Sequence, residues 1–264
     1  MIETEENMKK CQAGFAVFSI IFLFFLLIFG FVSQSRADSI DQAVMATIEK
    51  TKKFSPADLQ GFAPAEKAKF EKGEPVIRLI KVEGEGGGDK ENFAKTVILL
   101  AADPEAVYEV LIDLANYPKY FSSVKRTDVF EKGNENGLDY QVYLQQVHLP
   151  VIPDVYAYIK LFSQKVDMNG DGKTDKYLVW WAEDDRKLLQ DEKGKDIKPN
   201  LKYNYGSWNV QPYRGKSLIF YHEITSPNFW VPKMAWTKAN TWVGIPKVLE
   251  DLGKSAREKK SKTN

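Results

Sequence analysis

Ala101-Ala-Asp-Pro-Glu-Ala-Val-Tyr-Glu-Val-Leu-Ile-Asp-Leu-Ala-Asn-Tyr-Pro118 is the stretch on which the fold turns. Asp103 suits an N-cap, Pro104 suits the first helical position, and Glu105 suits the positive helix end. Val107, Val110, Leu111 and Leu114 form an apolar stripe at helical spacing. Asn116-Tyr117-Pro118 breaks this helix, and a second short one is predicted over 119–122. Upstream, Val76 to Val82 and Phe93 to Leu100 are β-branched and aliphatic, which predicts two strands. Gly84-Glu-Gly-Gly-Gly-Asp89 between them reads as a flexible hairpin loop. Further upstream, Asp38 to Lys53 and Ala65 to Lys72 read as helical, giving an N-terminal extension over 38–74.

Downstream, the pattern changes to strands and turns. Val124 to Glu131 is followed by a Gly- and Asn-rich turn at Gly133 to Gly137. Leu138, Tyr140, Val142 and Leu144 share one face of the next strand. Val155, Ala157, Ile159 and Leu161 share one face of another, which places Tyr156, Tyr158 and Lys160 outward. Tyr177 to Glu183, Tyr203 to Gln211 and Ser217 to Thr225 complete the run, and the two faces of the last are too alike to choose between. A final helix is predicted from about Lys247, with Ile245, Val248, Leu249, Leu252 and Ala256 on one side. Short connections imply an antiparallel meander. The class is therefore α+β, with one domain over 75–264.

This order resembles the START-like helix-grip superfamily, which includes polyketide cyclase-like and coenzyme Q-binding proteins. The resemblance is carried first by Ala101 to Pro118. Gly206-Ser-Trp208-Asn-Val210-Gln-Pro212 with Ser217 to Tyr221 is similar to the family's paired late strands. Pro232 onward, ending in Val248-Leu249-Glu-Asp-Leu252, is similar to its C-terminal helix. The resemblance implies a curved antiparallel sheet wrapped on a long C-terminal helix, with an internal cavity. Relatives bind lipids, quinones, polyketides or hormones, and some are cyclases.

A strongly bent sheet does not close tightly on one helix, and apolar gaps lined by aromatics are the usual ligand sites. The expected lining is Tyr140, Val142, Val155, Ala157, Ile159, Trp208, Trp236, Ile245 and Leu249. Asn228 to Trp236 reads as an aromatic lid, and Phe229, Trp230 and Met234 suit a membrane-facing lip.

Asp167-Met-Asn169-Gly-Asp171-Gly172-Lys173-Thr-Asp175 places oxygen side chains at positions 1, 3, 5 and 9 of a loop, with glycine at position 6. That is the calcium-loop pattern, with the Lys173 carbonyl as a further ligand. Position 12 is Leu178, so the bidentate glutamate of an EF-hand is absent. The expected Ca2+ role is structural. The competing reading is a solvated β-hairpin, since Asn-Gly and Asp-Gly are also turn signals.

Composition narrows the chemistry. The chain has 264 residues, a net charge of +1, two histidines and one cysteine. Near-neutral charge gives no nucleic-acid surface, and the supply of thiol and imidazole ligands is thin. No phosphate loop, serine elbow or zinc-type His spacing appears. From Ala13 to Val32 no residue is charged, Lys9 and Lys10 precede the run, and Ser35-Arg36-Ala37 offers a cleavage site. Residues 1–37 thus read as a secretory signal peptide, or as an uncleaved anchor long enough to span ~30 Å of hydrocarbon. Either reading places the rest outside the cytoplasm, in the periplasm or facing it. Three functions fit: a carrier of a lipid or other hydrophobe, a cyclase or hydrolase using the same cavity, or an envelope interaction protein with a filled core.

Overall fold

The computed structural model describes residues 49–83, 90–184 and 186–263. The leader and the Gly84 to Asp89 loop lie outside the described residues. Among those described, no helix is long and apolar enough to cross a membrane.

Eight strands form one antiparallel sheet: β1 (Val76–Glu83), β2 (Lys90–Leu100), β3 (Val124–Glu135), β4 (Leu138–Val147), β5 (Val155–Val166), β6 (Lys176–Glu183), β7 (Leu201–Tyr213) and β8 (Lys216–Pro227). Their order is β1-β2-β8-β7-β6-β5-β4-β3, so β3 to β8 meander and the last strand returns to pair with β2. The tight turns have a local cause. Asn136-Gly137 and Arg214-Gly215 both adopt positive φ, as a two-residue hairpin turn requires.

The helices are α1 (Pro64–Glu71), α2 (Pro104–Ile112), α3 (Tyr117–Tyr120), α4 (Lys233–Thr237) and α5 (Ile245–Thr263). Asp103 caps α2 as the sequence predicts, its Oδ1 accepting from the backbone N–H groups of Glu105 at 3.0 Å and Ala106 at 3.2 Å. The C-terminal helix starts earlier than the predicted Lys247. A π-helical segment, Lys238–Gly244, joins α4 to α5. The reason lies at Pro246, which has no N–H for the carbonyl of Trp242 and whose ring crowds it. The backbone widens there instead of stopping, as π-helical turns within helices commonly do at functional sites.

Val107, Val110 and Leu111 of α2 and Ile245, Leu249, Leu252 and Ala256 of α5 share one buried cluster with the concave sheet face. Gly253 lets α5 approach closely, since a Cβ there would meet Leu100 Cδ1 at 2.8 Å. Asp251 accepts from Ser122 N at 2.9 Å and Ser122 Oγ at 2.7 Å, and Lys260 pairs with Asp103 at 2.9 Å.

The convex face is covered as well. Residues 49–71 lie across β2, β8, β7 and β6 like a clasp. Phe54 packs on Phe220, with ring centroids 3.5 Å apart. The Phe54 carbonyl accepts from Gln211 Nε2 at 2.7 Å and Lys176 Nζ at 3.1 Å, and the Thr51 carbonyl accepts from Asn209 Nδ2 at 2.8 Å. Phe62, Phe70, Val97, Leu99, Leu218 and Phe220 form a second buried cluster beneath it. Farther along, Tyr158 OH donates to the Ile197 carbonyl at 2.9 Å and accepts from Leu189 N at 2.7 Å, so the 186–199 loop covers β5.

Candidate functional site

Between the concave face and the C-terminal helices lies a cavity of about 160 Å3. Alternation along each strand supplies its walls. Val155, Ala157, Ile159 and Leu161 come from β5, and Tyr143, Gln145 and Val147 from β4. Trp181, Trp208 and Tyr221 form an aromatic wall, with Trp208 and Tyr221 stacked at 3.9 Å and Trp181 and Tyr221 at 6.1 Å. Leu111, Tyr117 and Phe121 close one side, and Trp236, Asn240, Gly244, Ile245 and Val248 the other.

Of the residues predicted to line this space, Val155, Ala157, Ile159, Trp208, Trp236 and Ile245 do face it. Three do not. Tyr140 points outward, its hydroxyl donating to Glu131 Oε1 at 2.9 Å with Lys160 Nζ over its ring. Val142 is buried on that same outer face, paired with Lys160 and next to Leu144 and Tyr158. Both faces of β4 are covered, so its two sets of side chains look alike in sequence. Leu249 is buried in the cluster with Val107 and Leu252, and the next-door Val248 faces the cavity in its place. Trp180 also points outward, stacked on Phe162 with Lys52 over its ring.

One polar group stands out in the cavity, and sequence reasoning missed it. Glu223 is buried on β8. Its Oε2 accepts from the Tyr221 hydroxyl, and its Oε1 accepts from Asn240 Nδ2 at 2.5 Å and, more weakly, from Thr225 Oγ1 at 3.5 Å. Asn240 also donates to Thr225 Oγ1 at 2.8 Å. Burial pushes the Glu223 carboxyl up to about 7, against the pull of these hydrogen bonds. Neighbouring His222 points the other way, under the clasp, with Thr51 Oγ1 bonded to its Nδ1. Burial and then Lys95 push it down to about 3, so it stays neutral. His148 and Asp154 pair at 2.7 Å near the surface, and neither lines the cavity.

At one end of the cavity the 148–155 and 228–244 segments meet. Leu149, Ile152, Val155, Trp236 and Ala239 share a small cluster, with Phe229 and Val231 against it. Trp236 Nε1 donates to the Thr225 carbonyl at 3.2 Å. The predicted lid is thus seated by Trp236, while Trp230 is 90% exposed, Met234 83% and Val151 93%.

The 167–175 loop is a closed turn. Asp167 Oδ1 accepts from the backbone of Asn169 at 3.1 Å and Gly170 at 2.7 Å, and its Oδ2 from Gly172 at 2.8 Å. Asp171 accepts from Lys173 N at 2.9 Å, and Asp175 from Met168 N at 2.7 Å. Among the described residues, no group of three or more His, Cys, Asp and Glu side chains converges as a ligand set.

No family model matches the chain, and no curated protein matches it significantly. Solved structures do. A crystal structure of a STAR-related lipid transfer protein from Xanthomonas axonopodis aligns with a TM-score of 0.51 and 20% identity, over 69% of this chain and 93% of that one. Human StAR-related lipid transfer protein 5 aligns with a TM-score of 0.55 and 12% identity, over 85% and 98%. With its eight-stranded curved sheet gripping a long C-terminal helix, the chain has the START-like helix-grip fold.

Proposed function

We propose that this protein binds a hydrophobic or amphiphilic small molecule between its sheet and C-terminal helices and carries it in the cell envelope. The observation that carries this reading is the apolar, aromatic-walled cavity of about 160 Å3 with one buried carboxyl. An engineered cavity of about 150 Å3 holds a single benzene ring. A ring-sized group therefore fits as the cavity stands, and a longer chain needs the 228–244 segment to swing outward. The names of the aligned structures, which state lipid transfer, support the same direction.

Exchange at a membrane surface completes the reading. Trp230 and Met234 stand exposed on the segment whose Trp236 and Asn240 line the cavity, with Lys233 and Lys238 exposed on the same segment. Tryptophan favours the boundary between water and hydrocarbon, and cationic side chains suit anionic headgroups. The test is organic extraction of the purified protein followed by mass spectrometry, together with flotation on anionic vesicles. A co-purifying hydrophobe is expected, and Trp230→Ala with Met234→Ala is expected to weaken flotation by about tenfold. An extract free of any hydrophobe, from protein that also takes up none from vesicles, would end the carrier reading. Export rests on the apolar run from Ala13 to Val32, and N-terminal sequencing of protein from the intact cell tests it.

For the 167–175 loop we propose a weak structural calcium site. Its support is the spacing of Asp167, Asn169, Asp171, the Lys173 carbonyl and Asp175. Calorimetric titration of calcium into chelator-treated protein is expected to give heat and a higher melting temperature, both lost in Asp171→Asn. Absence of both in the unaltered protein rejects the site.

A further inference from the structure

We infer that the cavity selects a hydrophobic amine, an apolar body bearing one protonated nitrogen that pairs with Glu223. This inference rests on the proposed binding function and names the class of ligand it serves.

Charge in the cavity is unbalanced. Among the side chains lining the cavity, the titratable ones are Glu223 and the phenols of Tyr117, Tyr143 and Tyr221; none is Lys, Arg, His or Asp. Among the described residues no cation therefore faces Glu223 in this largely apolar space. Its hydrogen-bond partners, Tyr221, Asn240 and Thr225, are all neutral. Burying a carboxylate without a counter-charge is strongly unfavourable, and neutral donors recover only part of that cost.

The arrangement of those neighbours is also informative. Tyr221 donates to one carboxyl oxygen and Asn240 to the other. Both oxygens can thus receive hydrogens, as an anion needs. A protonated carboxyl can instead donate to the Tyr221 or Thr225 hydroxyl, so these neighbours accommodate either form. They solvate a carboxylate yet supply no charge to balance it. A ligand alcohol could add one more hydrogen bond, but it would leave the charge unbalanced. A ligand ammonium supplies both the hydrogen bond and the charge.

The remaining walls fit the same ligand. Tyr221, which touches Glu223, stacks on Trp208 at 3.9 Å, so π faces stand beside the carboxylate. Aromatic faces attract cations, most strongly where water is excluded. Val155, Ala157 and Ile159 give the apolar body its surface. Asn240 comes from the π-helical segment, so the helix distortion and the anchoring carboxyl belong to one device.

Benzylamine, benzyl alcohol and toluene are near-identical in size and differ in the group presented to Glu223. Each is titrated calorimetrically into the full-length protein at neutral pH. Benzylamine is expected to bind at least about tenfold more tightly than the other two, as one desolvated ion pair with a π contribution warrants. In Glu223→Gln that ratio is expected to fall to near one, whereas Glu131→Gln on the outer face leaves it unaltered. Equal affinities in the unaltered protein for benzylamine and benzyl alcohol, or for benzylamine and toluene, overturn the amine assignment and leave the cavity reading standing. No binding of any of the three overturns both. The comparison among probes needs no variant, so it decides the matter even should Glu223→Gln fail to fold.

Discussion

Replacing Glu223 by glutamine is expected to stabilise the ligand-free protein in alkaline solution and to do nothing in acid. The unfolded carboxyl titrates near 4.5, and the folded one near 7, because burial penalises the anion. Between these values the folded state holds a proton that the unfolded state has released, so stability falls as pH rises through the window. At about 1.4 kcal/mol per pH unit, the anion costs the fold about 3 kcal/mol above pH 7. Glutamine keeps the shape and the acceptor for Asn240 and carries no charge. Melting curves near pH 8 are expected to rise by about 5 to 10 °C in Glu223→Gln, and to coincide with the unaltered protein near pH 4. His222 gives the variant a further signature. Its value falls from 6.5 to about 3 on folding, so it destabilises the fold as pH drops below 6.5. The two neighbours thus impose opposite slopes between 4.5 and 6.5, and their two contributions largely cancel there. Glu223→Gln removes one slope and exposes the other. A variant that melts with the same pH dependence as the parent refutes the assignment of a buried, uncompensated carboxyl.

Gly206→Ala is expected to be the most damaging single-methyl addition in the sheet. A Cβ at Gly206 would meet Trp181 Cζ2 at 2.1 Å, Cη2 at 2.3 Å and the His222 carbonyl oxygen at 2.5 Å. Neither neighbour can retreat freely. The indole is buried, with Nε1 donating to Asn204 Oδ1 at 3.0 Å. The carbonyl belongs to β8 where Gly206 and Glu223 stand opposite each other in the β7–β8 ladder. Overpacking of this kind costs about 3 kcal/mol, read as a lower denaturant midpoint at constant slope. Trp181→Leu in the Gly206→Ala background is expected to recover part of the loss, because the two changes meet at one contact. An alanine variant as stable as the parent would mean that the indole does not lie over the strand.

Much of the architecture was legible because single faces were buried. Ala101 to Pro118 carries its cap, stripe and break in order, and Val155, Ala157, Ile159 and Leu161 read correctly as the cavity face of β5, although the 186–199 loop also buries Tyr158 on the other face. Legibility failed where both faces are covered. In β8, Phe220 and His222 are buried beneath the clasp while Tyr221 and Glu223 are buried in the cavity. Nothing in the pattern then separates inside from outside, and the one charged cavity residue stayed hidden. A carboxylate inside the otherwise uncharged Ser217 to Ser226 run was the available signal. In β4 the same ambiguity exchanged Tyr140 and Val142 for Tyr143 and Gln145. The final helix is expected only from about Lys247, and the π-helical segment reveals that it begins before Pro246.

The clasp of residues 49–71 has a practical consequence. Family resemblance starts near Pro75, and a gene fragment trimmed to that point would look complete. It would nonetheless strip the cover from Leu218, Phe220, Val97 and Leu99, and let water reach His222. Such a fragment presents a greasy sheet surface to its neighbours in solution and invites clumping during expression. The cover on this sheet face includes residues some two dozen positions ahead of the stretch whose sequence carries the resemblance.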